Sequence, residues 1–166
     1  VISAKVRVVV ALGGNAFNRP GEPITQETHL RNVDTAARVV ARIVEEGHQV
    51  VVTHGNGPQV GYLAELQKGN GRFKLDALNA MTQGMLGYFI VSAIDKYLGR
   101  GRAVAVVTRV EVDCGDQAFK NPTKFIGPIY DKEQAETLAQ QYGWQFKQDP
   151  RGGGDALSPP RCRSKL

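Results

Sequence analysis

An α/β fold built on a parallel sheet is what this sequence predicts, and three stretches carry the prediction. Lys5 to Leu12, KVRVVVAL, is an apolar run of strand length that ends in Gly13-Gly14-Asn15. Gln26 to Glu46 places Leu30, Val33, Ala37, Val40 and Val44 at helical steps on one face. Val50 to Thr53 is a second apolar run, and it enters the tight loop His54-Gly55-Asn56-Gly57-Pro58. Strand, helix and strand in this order form a βαβ unit, with a parallel pair and a right-handed crossover. Neighbouring strands of an open parallel sheet deliver their loops to one edge, which is where ligands bind in such folds.

The remaining elements follow in order. Asn18 to Pro23 is rich in Pro and Gly and must be irregular. Gly47 closes the first helix. In the loop after the second strand, Gly55 and Gly57 lack Cβ, so they permit positive φ and a close backbone approach to a ligand. Pro58 suits the first turn of a helix running on through Val60 to Gln67. The N–H groups of that helix start, with its dipole, favour an anion such as phosphate or carboxylate. Lys68 to Lys74 is a polar turn, and Asn79 to Leu98 a long apolar helix in which Gly84 and Gly87 imply close backbone packing. Ala103 to Val107 reads as a third buried strand that Val110 to Asp113 extends or follows. Gly115 to Pro128 is an exposed excursion, Asp131 to Tyr142 a helix with Ala135, Leu138 and Tyr142 on one side, and Trp144 to Phe146 a short strand. From Arg151 the chain loses all periodicity, and residues 151–166 are expected to be disordered.

A chain of 166 residues, 42% hydrophobic and 22% charged, is ordinary for one soluble globular domain. No apolar run looks long enough to span a bilayer, and the N-terminus lacks a signal-peptide pattern, so the cytoplasm is the expected compartment. The net charge of +5 sits mostly in the tail, where Arg151, Arg161, Arg163 and Lys165 face only Asp155. The body has no basic stripe interleaved with aromatics, so a nucleic-acid partner is not expected. Cys114 and Cys162 offer neither metal-ligand spacing nor a disulfide framework. Cys114 reads as an inert, half-buried thiol, and no metal ligand is assigned.

Several motifs need weighing. Gly55-x-Gly57 with Gly61 approaches a dinucleotide fingerprint, but the spacing is one residue too long and it sits on the second strand-loop unit. No P-loop is present. Asn15 and Asn56 beside glycine suit turns that tolerate positive φ. Because the pairing recurs at two strand ends, it also points to ligand-facing amides. His54 is more often a loop-stabilising histidine than a base, and Gln83 suits a satisfied core amide. Lys124 suits a mobile cation that neutralises charge on a transferring phosphoryl group. For an isolated lysine the solvated reading would prevail.

Four segments together resemble carbamate kinase, within the amino-acid kinase family: ALGGNAF at 11–17, THGNGPQVG at 53–61, QGMLGY at 83–88 and NPTKFIGPIYD at 121–131. The resemblance runs from about Lys5 to Pro150. It implies a three-layer αβα fold with a mainly parallel sheet, and reversible, Mg²⁺-dependent phosphoryl transfer between ATP and carbamate. The products are carbamoyl phosphate and ADP. It also implies a homodimer. Gly13, Gly14, Asn15, Gly55, Asn56 and Gly57 would hold carbamate and the phosphoryl group. Lys124, on a protruding mobile segment at 115–150, would close over the reacting phosphate.

Family members are longer, and the half that binds the nucleotide is expected to be missing. Residues 1–150 would then be the N-terminal, carbamate-binding part, inactive alone, with apolar faces and strand edges left bare. One coding of Gly153 to Leu166, read in a shifted frame, gives WRRVVPSPMPLKI, similar to the family's continuation GWRRVVPSP. A frameshift near Gly152 or Gly153 is therefore expected, which leaves Cys162 and the tail charges without a selected role. Two other readings stand beside the kinase: an amino-acid kinase with a different acceptor, and a non-catalytic module for carbamoyl phosphate binding or dimerisation.

Overall fold

The computed structural model describes residues 5–19, 21–67, 73–125, 127–148 and 157–158. Its elements are β1 (Arg7–Leu12), α1 (Gln26–Glu45), β2 (Gln49–His54), α2 (Gly57–Leu66), α3 (Leu75–Leu98), α4 (Lys132–Tyr142), β3 (Lys147–Gln148) and β4 (Leu157–Ser158). Single 3₁₀ turns occupy Gly14–Ala16 and Gln117–Phe119. The chain divides into two compact units. The first runs to Asn56 and resumes over Thr82–Val107, and the second comprises Gly57–Met81 and the chain from Thr108 onward.

In the first unit, β1 and β2 pair in parallel from Arg7↔Gln49 to Leu12↔His54, with α1 as the crossover. Burial alternates along both strands as the pleat requires. Val10, Leu12, Val50 and Val52 pack against a core of Phe17, Val33, Ala37, Val40, Leu86, Phe89, Ile90, Ala93 and Ile94. Thr25 caps α1, its hydroxyl accepting from the Thr28 N–H at 3.2 Å. Gly47, at φ +92°, releases the chain into β2, a left-handed conformation that favours glycine. On the other face of the pair, Val9 and Val51 are exposed.

In the second unit, Val60, Ala64 and Leu78 form a small core with Leu63 and Leu75 packed against it. The Tyr130 hydroxyl donates to Glu65 Oε1 at 3.2 Å, and the Tyr130 ring meets Phe146 edge-on. α4 opens on a capping box between Asp131 and Gln134 and closes on Gly143 at φ +66°.

Several expectations need correction. Ala103 to Val107 forms no strand, and Val104 is 85% exposed. Among the described residues the only strand pairs are β1–β2 and β3–β4, so this segment has no ladder partner, and Val104, Val106 and Val107 stay exposed while Ala103 packs on the first unit's core. Val110 to Asp113 is likewise irregular and exposed. α3 starts four residues before the expected Asn79, and the short strand falls at Lys147–Gln148 rather than Trp144–Phe146. α3, at 24 residues, is also long and apolar enough by length and composition to cross a membrane. Its apolar character has a core explanation, since Leu86, Phe89, Ile90, Ala93 and Ile94 build the first unit's interior. Cys114 is exposed rather than half-buried. Gly87 does meet a close neighbour, with an added Cβ falling 2.7 Å from that of Ala105, whereas Gly84 faces open space. Of the expected disordered tail, Leu157–Ser158 pairs antiparallel with β3, and the other residues of 151–166 lie outside those described, as do 68–72 of the polar turn.

Candidate functional site

Leu12 and His54 are register partners, so β1 and β2 end level and their glycine loops leave the same edge of the pair. Gly13 is extended, at φ −73° and ψ 175°. The turn that follows is closed by the N–H groups of Ala16 on the Gly13 carbonyl and of Phe17 and Asn18 on that of Gly14. That turn does not use the N–H groups of Gly14 and Asn15. None of Gly13, Gly14, Gly55 and Gly57 takes positive φ, nor do Asn15 and Asn56, contrary to the expected reason for these residues. What the glycines provide is room: an added Cβ at any of the four would meet nothing within 4 Å. A backbone bare on that scale lets an anion come close to its N–H groups.

The first loop is tied down by groups that sequence reasoning passed over. Phe17 is fully buried, its ring edge-on to His54 at 5.7 Å and tilted against His29 at 6.4 Å. Asn32, on α1, donates to the Phe17 carbonyl at 3.0 Å and to Glu22 Oε2 at 2.6 Å. The Glu22 carboxylate also accepts from the Arg19 N–H and from Arg31, each at 2.9 Å. The Arg19 N–H, followed by the Asn32 amide, holds that carboxyl below the usual range. Arg19, Arg31 and Asn32 thus converge on the Glu22 carboxylate. The available signal was the placement of His29 and Asn32, polar residues that fall among the buried positions of α1.

In the second loop His54 Nδ1 donates to the Gly55 carbonyl at 3.2 Å, a contact within the loop itself. The Asn56 amide donates through Nδ2 to Thr82 Oγ1 at 2.8 Å, and Thr82 is fully buried on α3. The first unit therefore brings together Gly13, Gly14, Asn15, Gly55 and Asn56 at one edge. The chain passes into the second unit at Gly57, the first residue of α2.

Lys124 belongs to the second unit and is exposed. The segment bearing it is held by Lys147, whose ammonium group donates to the Asn121 side chain and, at 3.0 Å, to the Pro122 carbonyl. Sequence reasoning gave Lys147 no role. Among the described residues no three His, Cys, Asp or Glu side chains converge to hold a metal ion.

The described residues at this edge of the first unit can cradle a small anion with main-chain N–H groups and the Asn56 amide. The Amino acid kinase family matches residues 6–122. The chain is 49% identical over 148 residues to a carbamate kinase of Rhizobium meliloti (strain 1021), a match covering 87% of this chain and 45% of that protein. The carbamate kinase of Giardia lamblia bound to citric acid superposes with a TM-score of 0.76 at 34% identity, covering 96% of this chain and 54% of that one. The same enzyme bound to AMP-PNP gives a TM-score of 0.72 at 34% identity, over 95% and 52% of the two chains. The chain spans about half the length of the relatives it matches. With the family's match over most of its length and both glycine loops in place, this chain belongs to the amino acid kinase family.

Proposed function

We propose that this chain carries the carbamate and phosphoryl side of a carbamate kinase, which moves a phosphoryl group reversibly between ATP and carbamate to give carbamoyl phosphate and ADP. The level ending of β1 and β2, which sets two bare glycine loops at one edge, carries the reading. In the forward direction a carbamate oxygen attacks the γ-phosphorus of ATP, the bond to the β,γ-bridging oxygen breaks, and ADP leaves. No protein atom becomes covalently bonded, so the protein acts by positioning and by neutralising charge. The N–H groups of Gly13, Gly14, Gly55 and Gly57, with the Asn15 and Asn56 amides, bind carbamate and the phosphoryl oxygens. Lys124 supplies the cation for the charge spread over the transferring group.

ATP would be held by the part of the family fold that this chain does not span. Mg²⁺ carried mainly by the ATP phosphates would need only one or two carboxylates, and no three His, Cys, Asp or Glu side chains converge among the described residues. A cytoplasmic homodimer completes the reading. A second reading is a non-catalytic module that binds carbamoyl phosphate through the same two bare loops.

Calorimetry of this 166-residue chain with carbamoyl phosphate and with ATP, beside an assay of ATP formation from carbamoyl phosphate and ADP, tests both. Binding of carbamoyl phosphate without tight ATP binding is expected. Turnover by the chain alone would exclude the module, and tight ATP binding would overturn the division of the site. Binding of neither ligand would overturn both readings.

A further inference from the structure

The Asn56 amide is held from inside the fold. Its partner, Thr82 Oγ1 at 2.8 Å, is fully buried on α3 and lies 26 residues away in the chain. Two features make this a fixed support. A β-branched side chain in a helix has restricted χ1, which limits where the hydroxyl can point. Thr82 is also on the helix that builds the first unit's core, through Leu86, Phe89 and Ile90.

An asparagine amide has a donor end and an acceptor end of nearly the same shape, and its terminal torsion is broad. Unheld, it presents either end to a ligand. With Nδ2 engaged on Thr82, the amide's plane is set before a ligand arrives, and its two ends keep this order as long as the Thr82 hydroxyl accepts rather than donates. The carbamoyl group is itself a planar unit with a carbonyl at one end and an NH₂ at the other. An amide of one orientation distinguishes those ends, and a freely turning one averages over them.

We infer that Thr82 is a positioning residue: it orders the Asn56 amide for the carbamoyl group without touching the ligand. This rests on the reading of the glycine loops as a carbamoyl phosphate cradle. Acetyl phosphate, of similar shape but lacking the NH₂ donor, is the natural comparison ligand.

The test is calorimetry of carbamoyl phosphate and acetyl phosphate on the wild-type chain, Thr82→Val and Thr82→Ser, with ¹⁵N NMR of the Asn56 side-chain NH₂. Valine keeps the shape and removes the hydroxyl, serine keeps the hydroxyl, and the spectra report folding. Thr82→Val is expected to weaken carbamoyl phosphate binding by about tenfold. It should also move the Asn56 signals and affect acetyl phosphate less. Thr82→Ser should restore all three properties. A folded Thr82→Val that binds carbamoyl phosphate like the wild type overturns the inference alone. So does a Thr82→Ser that fails as badly as valine, since the methyl and not the hydroxyl would then matter. A wild-type chain that binds neither phosphate overturns the cradle reading, and this inference with it.

Discussion

The Lys147 ammonium group donates to the Pro122 carbonyl at 3.0 Å, across 25 residues of sequence. It also reaches the Asn121 side chain, so one lysine fastens both residues at the head of the Asn121-Pro122-Thr123-Lys124 segment. Lys147→Met keeps the aliphatic stem and removes the donors. Amide exchange across 120–125 should accelerate several-fold, while global stability falls by about 1 kcal/mol or less, as expected for a partly exposed contact. Exchange mass spectrometry reads the first effect and urea denaturation the second. Unchanged exchange would mean that Lys147 does not hold the segment.

Gly84 and Gly87 should respond to alanine with opposite signs. An added Cβ at Gly84 meets nothing within 4 Å, so only helix propensity changes and Gly84→Ala should stabilise by about 1 kcal/mol. At Gly87 the same atom would lie 2.7 Å from the Ala105 Cβ, and relieving that overlap requires the backbone to move. Gly87→Ala should destabilise by about 1–3 kcal/mol. Urea unfolding of the two variants against the wild type checks both signs.

Asp34 on α1 accepts from the Tyr97 hydroxyl at 2.7 Å and from Lys96 at 3.2 Å, both on α3. The Tyr97 hydrogen bond, then Lys96, holds its carboxyl below the ordinary value of 3.8. A carboxyl lowered by folding contributes its stability above the unfolded value and loses it as pH falls through the folded one. Asp34→Asn should therefore cost about 1 kcal/mol at neutral pH, a figure already reduced for solvent screening. The difference should vanish once the wild-type carboxyl is protonated. Thermal melts of both chains from neutral pH down past 3.8 should converge at the acid end.

Asn56→Asp replaces a neutral amide with a carboxylate where an anion is to bind. Like-charge repulsion should weaken carbamoyl phosphate binding by about tenfold or more at pH 7. Calorimetry showing undiminished affinity would remove Asn56 from the cradle.

Much of the architecture was legible because it is written in short-range pattern. The apolar steps of α1 and the glycine at position 47 each act within a few residues of themselves. Both glycine loops were placed correctly at strand ends for the same reason. The geometric argument for those glycines was not legible. Positive φ belongs to Gly21, Gly47, Gly99, Gly101, Gly127 and Gly143, and the loop glycines instead leave space.

The sequence by itself determined the βαβ unit, the loops that end its strands and the amphipathic face of α1, because periodicity and cap chemistry are local. Only the tertiary structure decided that Ala103–Val107 stays unpaired, that Asn32 holds Phe17 and Glu22, and that Thr82 stands behind Asn56. A strand exists only through a neighbour elsewhere in the chain, and a buried hydrogen bond only through a partner that folding brings within about 3 Å. Neither partner can be read from the residues beside it.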